Sequence, residues 1–286
     1  MKQLNIKTML CICLLILFFI VGCAEVQKPP LDAEAYNNRG LAYANKGRHN
    51  KAISDFNKAI EINPKLAMAY NNRGLEYRLK GRHDKAISDY NKAIEINPRY
   101  ALAYNNRGIA YFLKGRHDKA ISDFSKAIEI NPKLAEAYNN RGSAYDDKGQ
   151  FNQAISDYNK AIEINPRYAL AYYDRGIAYE RKGRHDKAIS DYNKAIVINP
   201  RYANAYRNRG NAYYRKGQFD RAISDYNKAI EINPRYAEAY NNRGLAYFFK
   251  KEYEKAWDDV YKAQDLGYQV HPGFLKGLRK ASGRER

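Results

Sequence analysis

Four histidines recur at equivalent places along the chain and are the most obvious candidates for metal ligands. His49, His83, His117 and His185 each follow the tripeptide Lys-Gly-Arg. A zinc site needs several ligand atoms about 2 Å from one ion, whereas equivalent positions on packed helices lie ~10 Å apart. The spacing therefore disfavours a metal centre, and we expect neither a metal ion nor another cofactor.

Nucleophilic catalysis is disfavoured as well. Ser54 and Ser88 are each followed by Asp, but no base recurs at a spacing that would activate the hydroxyl. The sequence also has no glycine-rich loop of the kind that cradles phosphates. The three cysteines, Cys11, Cys13 and Cys23, are too few for a disulfide scaffold. We therefore expect a protein that is not an enzyme.

The residue Cys23 ends an N-terminal segment that is typical of export signals. Lys2 and Lys7 precede an apolar stretch at 9–21, which is shorter than the ~20 residues that span a bilayer. The tetrapeptide Ile-Val-Gly-Cys that ends at Cys23 resembles the lipobox of bacterial lipoproteins. The resemblance implies that residues 1–22 are a signal peptide and that Cys23 is acylated as the mature N-terminus. An uncleaved N-terminal anchor is the alternative.

Residues 23–32 would then form the lipidated cysteine and a short tether. Pro29-Pro30 favours an extended chain, and the nine residues 24–32 reach at most ~30 Å. The folded part is therefore expected to lie close to the membrane. Ala24 follows the cysteine, and in lipoproteins of Gram-negative bacteria such a residue implies the periplasmic face of the outer membrane.

Dipeptides of Arg-Gly divide the rest of the chain into units of constant length. They recur every 34 residues, at Arg39-Gly40, Arg73-Gly74, Arg107-Gly108, Arg141-Gly142, Arg175-Gly176, Arg209-Gly210 and Arg243-Gly244. Asn-Pro recurs at the same step from Asn63-Pro64 to Asn233-Pro234. The resulting units are 33–66, 67–100, 101–134, 135–168, 169–202, 203–236 and 237–270. The final segment, 271–286, is predicted to be a capping helix with a basic tail.

The units share residue types at fixed positions, counted from the alanine that opens each unit. Tyr stands at position 4, Gly at 8, Tyr at 11, Ala at 20, Phe or Tyr at 24, Ala at 27 and Pro at 32 in most units. This pattern resembles the tetratricopeptide repeat (TPR), although position 4 carries Tyr rather than Trp and position 7 carries Arg rather than Leu. The resemblance implies an all-α fold, a TPR superhelical solenoid of about seven helix-turn-helix repeats plus a C-terminal capping helix.

The spacing of apolar residues independently predicts two helices per unit. Tyr70, Gly74 and Tyr77 lie on one stripe of a first helix, and Gly81 is placed to end it. The second helix stops at Asn97-Pro98, because proline disfavours helical backbone in the residue before it. A single pair cannot bury its apolar stripe alone, whereas stacked pairs can.

Differences between the units concentrate at positions 2, 5, 9, 12 and 13 of the first helix, which share one helical face. In the TPR family this face lines the concave groove in which partners bind, and we call it the groove face. It does not match the carboxylate clamp of chaperone-binding TPR domains, because residues such as Glu34, Leu102 and Glu136 occupy position 2. Binding of an acidic C-terminus is therefore disfavoured.

Asparagines dominate positions 5 and 6 of the first helices. The candidate groove residues are Asn37, Asn71, Asn105 and Asn139 at position 5 and Asn72, Asn106, Asn140, Asn208 and Asn242 at position 6. An amide offers both a donor and an acceptor, which matches the backbone of an extended peptide. The row resembles the asparagine ladders of some peptide-binding solenoids. The alternative is that these amides cap or bridge neighbouring helices.

Positions 12 and 13 change character along the chain. The candidate groove residues here are Leu79, Phe112, Asp146, Tyr214 and Phe248, so that two apolar zones flank an acidic middle. Such a face suits a partner with a basic centre and apolar anchors, since aromatic side chains tend to carry binding energy. The alternative is that some of these residues pack against the next repeat.

The net charge of +19, from 50 basic and 31 acidic residues, raises a further possibility. Lysines at position 26 follow an Asp by three residues in every unit and are expected to be partly neutralised: Lys58, Lys92, Lys126, Lys160, Lys194, Lys228 and Lys262. The unbalanced charge is expected at the turns, in pairs such as Lys114 and Arg116. This basic edge would suit anionic lipid headgroups. Nucleic acid is not an expected partner.

Together these patterns predict a lipid-anchored adaptor of the bacterial cell envelope that holds a partner protein or extended peptide segment in its groove. TPR lipoproteins act as pilotins, as outer-membrane assembly factors and as adaptors for peptidoglycan hydrolases, and the chain resembles them in architecture. The alternatives are a structural spacer, with self-association possible, and contact between the basic edge and an anionic membrane surface.

Overall fold

The computed structural model describes residues 32–284 and contains fifteen helices over that range. The helices are α1 (Ala33–Asn45), α2 (His49–Ile62), α3 (Ala67–Leu79), α4 (His83–Ile96), α5 (Ala101–Leu113), α6 (His117–Ile130), α7 (Ala135–Asp147), α8 (Phe151–Ile164), α9 (Ala169–Arg181), α10 (His185–Ile198), α11 (Ala203–Arg215), α12 (Phe219–Ile232), α13 (Ala237–Phe249), α14 (Tyr253–Asp265) and α15 (Pro272–Ser282). The predicted signal peptide, the acylated Cys23 and most of the tether lie outside the described residues.

The chain divides into two compact units, one ending at Ala69 and the other beginning at Tyr70. In the first unit, α1 and α2 form one helix pair whose core includes Ala33, Ala59 and Leu66. The second unit repeats the same pair and ends with α15, which confirms the predicted all-α repeat fold. Among residues 32–284, none of the helices combines the length and the apolar composition that a membrane span requires.

Glycine shapes the turn between the two helices of a pair. Gly81 has a φ of +70°, in the left-handed region that glycine enters without steric cost, and its N–H donates to the carbonyl of Arg78 at 2.9 Å. In the last pair Lys251 occupies this place and still adopts a φ of +61°. The turn geometry therefore persists although a side chain costs ~1–2 kcal/mol there.

A second glycine lets the two helices of a pair approach closely. A Cβ atom added to Gly142 would lie 2.7 Å from Cε1 of Tyr158, and this tyrosine is 1% exposed. The aromatic ring at position 24 therefore fills the space that glycine leaves at position 8. In the last pair Val260 replaces the aromatic residue, and Trp257 packs beside it in the terminal core.

The arginine at position 7 forms a bidentate ion pair with the buried aspartate at position 23. Nε and Nη2 of Arg107 donate to the two carboxylate oxygens of Asp123 at 2.8 and 2.7 Å. The other repeats contain the equivalent pairs Arg39–Asp55, Arg73–Asp89, Arg141–Asp157, Arg175–Asp191, Arg209–Asp225 and Arg243–Asp259. The repeats carry Arg at position 7, where the family pattern has Leu, and this Arg therefore occurs together with an aspartate on the second helix that binds it.

These pairs correct the expectation that the aspartate neutralises the lysine three residues later. Asp123 points inward and binds the guanidinium of Arg107, whose planar fork fits a carboxylate. The lysine at position 26 lies on the surface and reaches a different acid: Nζ of Lys126 donates to Glu129 at 2.6 Å. The lysines are neutralised, but by the glutamate at position 29 in four repeats.

The final helix closes the second unit as predicted. Leu278 is fully buried in a core with Trp257 and Val260, and Nε1 of Trp257 donates to Oγ of Ser282 at 3.0 Å. The helix begins at Pro272, where a missing N–H is tolerated. Its apolar side therefore covers the last repeat.

Candidate functional site

The asparagines at positions 5 and 6 form hydrogen-bonded bridges between consecutive repeats. Nδ2 of Asn106 donates to Oδ1 of Asn71 at 3.0 Å, and Nδ2 of Asn140 donates to Oδ1 of Asn105 at the same distance. Both acceptors are buried. Because a buried amide needs a partner, these contacts stabilise the stacking of helices α3, α5 and α7.

The same connection, from position 5 to position 6 of the next repeat, continues where the asparagines are interrupted. Nδ2 of Asn139 donates to Oδ2 of Asp174 at 2.9 Å, and Nδ2 of Asn208 donates to the hydroxyl of Tyr173 at 3.0 Å. Burial raises the pKa of Asp174 to about 7. At Asp174 and Tyr173 the bridge is therefore kept with a different chemical group in one partner, whereas next to Arg207 the amide of Asn242 bonds to Asn211 instead.

This geometry corrects the expectation that the asparagine row is presented to a peptide backbone. Asn71, Asn105 and Asn139 are at most 5% exposed and use their amides within the protein. In the first unit Asn37 is likewise buried. The half-buried Asn72 accepts from Asn71 at 3.4 Å, and Asn242 donates to Asn211 at 2.9 Å. The bridging alternative accounts for these contacts.

A second row of contacts joins position 12 of one repeat to position 13 of the next. Oδ2 of Asp146 lies 2.7 Å from Nη1 of Arg181, and Oε1 of Glu180 lies 3.4 Å from Nε of Arg215. Asp146 is buried, and burial raises its pKa while Arg181 opposes the shift. Arginines on the first helix of the next repeat therefore largely neutralise the predicted acidic middle. This removes the argument for a partner with a basic centre.

Several leucines of the groove face remain exposed. Leu79 is 56% exposed and Leu113 is 52% exposed, both at position 13, at the C-terminal ends of α3 and α5. Leu102 and Leu170, at position 2, are exposed as well. These side chains leave apolar surface on the first helices that burial against a partner would stabilise.

Two of the predicted aromatic anchors pack against their own neighbours. The ring of Phe112 meets His117 edge-on at 5.3 Å. The ring of Phe248 lies 5.8 Å from Phe274 of the terminal helix and 6.0 Å from Tyr253. Both rings are half-buried, which agrees with the alternative of packing against neighbouring elements. Phe248 therefore packs against the terminal core that α15 helps to form.

A cavity of about 420 Å³ opens on the groove face between α11 and α13. Its walls are Asn211, Tyr214, Arg215, Tyr226, Asn242 and Leu245. The hydroxyl of Tyr226 donates to Oδ1 of Asn211 at 2.8 Å, which places a core tyrosine at the cavity floor. Tyr214 and Asn242 belong to the predicted site, whereas Asn211 and Leu245 were not among the predicted groove residues. Both residues stand at position 9, one of the variable positions of the groove face, and this is the sequence feature that could have identified them.

Four lysines at the turns form ion pairs, which reduces the unbalanced charge of the expected basic edge. Lys114, Lys148, Lys216 and Lys250 each pair with an aspartate near the N-terminus of the preceding second helix, and the hydrogen bond from Lys114 lowers the pKa of Asp84. This corrects the expected charge distribution for these lysines. Within residues 32–284, no cluster of three or more His, Cys, Asp or Glu side chains forms a metal site.

Sequence models of one repeat family match almost the whole described chain. The models, described as TPR repeat and tetratricopeptide repeat, match residues 33–66, 56–88, 74–115, 101–134, 124–156, 142–183, 181–217, 210–250 and 237–266. The chain belongs to the tetratricopeptide repeat family. TPR proteins bind protein or peptide partners, and their fold is typically that of a non-enzymatic interaction scaffold.

Solved structures of TPR proteins are similar to this chain. A chain of the APC/C hetero-tetramer Cut9–Hcn1 matches 88% of this chain with a TM-score of 0.72 at 19% identity. This chain covers 50% of the length of that matched chain. MamA is 36% identical with a TM-score of 0.52, covering 58% of this chain and 96% of its own. YrrB, described as a TPR protein with an unusual peptide-binding site, is 27% identical with a TM-score of 0.51, covering 64% of this chain and 95% of its own. No curated protein matches the sequence.

Proposed function

We propose that this TPR protein is a membrane-anchored adaptor of the bacterial cell envelope that binds an extended segment of a partner protein on its groove face. The observation that carries the proposal is the exposure of Leu79, Leu102, Leu113 and Leu170 on first helices of the second unit. An apolar side chain in water gains ~1.5–3 kcal/mol when it is fully buried. A partner that covers these leucines would recover part of that energy.

The cavity between α11 and α13 supports the same proposal. It has polar and apolar walls, as sites for side chains of a ligand usually do. Among the similar TPR proteins, YrrB has an unusual peptide-binding site. In this proposal the asparagines of the groove face do not bind the partner. They stabilise the stacking of consecutive repeats through hydrogen bonds.

Anchoring rests on the N-terminal sequence. The lipobox resemblance places the acyl chains on Cys23, and the tether that follows would hold the repeats within ~30 Å of the lipid surface. We propose the periplasmic face of the outer membrane as the location in a Gram-negative host. Multiple acyl chains would make the attachment stable, because a single chain binds only marginally.

The test is affinity capture from an envelope extract with the full-length chain. The variant Leu79→Ser with Leu113→Ser removes two exposed apolar side chains at little cost to the fold. Val197→Ser is the matched control, because Val197 is 76% exposed on the second helix α10. We expect a client that survives high salt, is lost with the leucine variant and is kept with the control.

The outcomes separate the alternatives. Equal capture by the leucine variant and the control would contradict binding on the groove face and favour a spacer. Capture that is lost at high salt but is equal for the parent and both variants would favour the other alternative. In that case the remaining turn arginines would bind an anionic surface through charge.

A further inference from the structure

The first helix of the sixth repeat carries a stripe of cationic and amide side chains. Arg207, Asn211 and Arg215 are spaced four residues apart on α11, so they lie along one side of the helix. The equivalent positions on α13 carry Asn241, Leu245 and Phe249. A basic stripe therefore stands next to a largely apolar one, and among the seven repeats this combination of two arginines occurs only in the sixth.

The cavity of about 420 Å³ lies between these two stripes. The apolar part of its wall is formed by Leu245 and by the rings of Tyr214 and Tyr226. Phe249 supports the Tyr214 ring with a centroid distance of 5.7 Å. Ligand pockets range from ~300 to 1,000 Å³, so this volume suits one large side chain and adjacent backbone.

The polar groups left for a ligand are donors. Oδ1 of Asn211 already accepts from Tyr226 and from Asn242, whereas its Nδ2 has no protein acceptor. The guanidinium of Arg207 lies over the ring of Tyr236, 5.4 Å from its centroid, and has no carboxylate partner among the described residues. Arg215 forms a loose ion pair with Glu180 at 3.4 Å, and its side chain is still 60% exposed. Acceptor atoms and negative charge on a ligand would complement these donors.

We infer that the groove face at repeats six and seven binds an extended segment of a partner protein in which Asp or Glu stands two residues from a large apolar residue. Side chains two residues apart in an extended chain point to the same side, so both can face the wall that carries the cavity and Arg215. The apolar side chain would enter the cavity against Leu245 and Tyr214, and the carboxylate would meet Arg207 or Arg215. The high positive charge of the chain, +19, favours the same kind of partner. This inference rests on the groove binding proposed above.

The test is selection from a random peptide library displayed on phage, with the full-length chain in detergent as bait. Selected peptides are then synthesised, and their affinities are measured by fluorescence anisotropy. We expect enrichment of peptides in which a large apolar residue stands two positions from an acidic one. Arg215→Glu should weaken their binding about tenfold, which corresponds to ~1.4 kcal/mol. Leu245→Ala should weaken it as well by removing part of the cavity wall.

The matched control is Arg235→Glu, which makes the same charge change at an exposed residue between α12 and α13, outside the cavity lining. Peptides without acidic residues, or equal effects of the two charge reversals, would overturn the inference. If such peptides still lose affinity with Leu79→Ser and Leu113→Ser, groove binding stands and only the acidic specificity fails. A library that yields no binder would contradict groove binding of peptides and this inference together.

Discussion

Arg175 holds Asp191 with two hydrogen bonds and reaches the preceding repeat with a third. Its Nε and Nη2 donate to the carboxylate of Asp191 at 2.8 and 2.6 Å, and its Nη1 donates to Oδ1 of Asn159 at 2.6 Å. The equivalent arginine makes the inter-repeat bond in four further repeats. One side chain thus couples the two helices of a pair and the pair to its neighbour.

Replacing only Arg175 should destabilise the protein strongly. In Arg175→Leu the buried Asp191 loses its counter-ion, and we expect a loss of ~3–5 kcal/mol in the free energy of unfolding. The double variant Arg175→Leu with Asp191→Leu should recover much of it, because an apolar pair of similar volume needs no desolvation of charge. Urea denaturation followed by circular dichroism measures both. A single variant as stable as the parent would contradict the structural role of the pair.

Replacing Asp174 by Asn should stabilise the protein at neutral and alkaline pH. Burial raises the pKa of Asp174 from 3.8 to about 7, so the folded state retains a proton that the unfolded state has lost between these values. The free energy of unfolding of the parent should therefore fall as pH rises from ~4 to ~7, and it should stay at the lower value above pH ~7. Asp174→Asn restores the residue found at position 6 of the other repeats.

The difference in the free energy of unfolding between parent and Asp174→Asn should be about 4 kcal/mol at pH 8 and close to zero below pH ~4, because a pKa difference of about three units corresponds to 1.36 kcal/mol for each unit. Urea midpoints measured across this range test the expectation. The matched control is Asp147→Asn, which makes the same chemical change at an exposed residue. A parallel profile for parent and Asp174→Asn would show that Asp174 titrates normally.

Adding a methyl group at Gly142 should disrupt the packing of its helix pair. The new Cβ would lie 2.7 Å from Cε1 of the buried Tyr158, and overpacking of this kind costs ~1–3 kcal/mol. In the double variant Gly142→Ala with Tyr158→Leu the smaller side chain should relieve the clash. Thermal denaturation distinguishes the two, and equal melting temperatures for parent and Gly142→Ala would contradict the close contact.

Replacing Cys23 should abolish lipid attachment. If Cys23 is the acylated residue, cells fed an alkyne fatty acid will label the parent chain and leave Cys23→Ser unlabelled, and the variant will leave the membrane fraction. Cys13→Ser is the control, because its cysteine lies within the proposed signal peptide. Labelling that persists in Cys23→Ser would exclude this cysteine as the attachment site.

Repeat boundaries and helix types could be predicted from local sequence, because they depend on interactions within a few residues. The dipeptide Asn97-Pro98 ends a helix because proline disfavours helical backbone in the residue before it. Gly81 adopts the left-handed backbone of the turn because it has no side chain. Such signals recur every 34 residues and reinforce one another. The same locality explains why the terminal helix was predicted close to its observed start at Pro272.

The partners of the polar residues could not be predicted in this way. Asp123 and Lys126 are near neighbours in sequence, yet Asp123 binds Arg107, sixteen residues away. Asn105 and Asn140 are 35 residues apart and share a hydrogen bond. A periodic sequence places them on the same face, but the direction and reach of each side chain decide which ones touch.

The sequence by itself determined the repeat family, the helices and the variable face, since these follow from short-range periodicity and backbone preferences. Tertiary structure decided how that face is used. Stacking brings position 5 beside position 6 of the next repeat and position 12 beside position 13, so that Asn71 and Asp146 become internal contacts. The same stacking leaves Leu79 exposed and leaves a cavity lined by Arg215, because the reach of each side chain across the stacked helices decides which surfaces become covered.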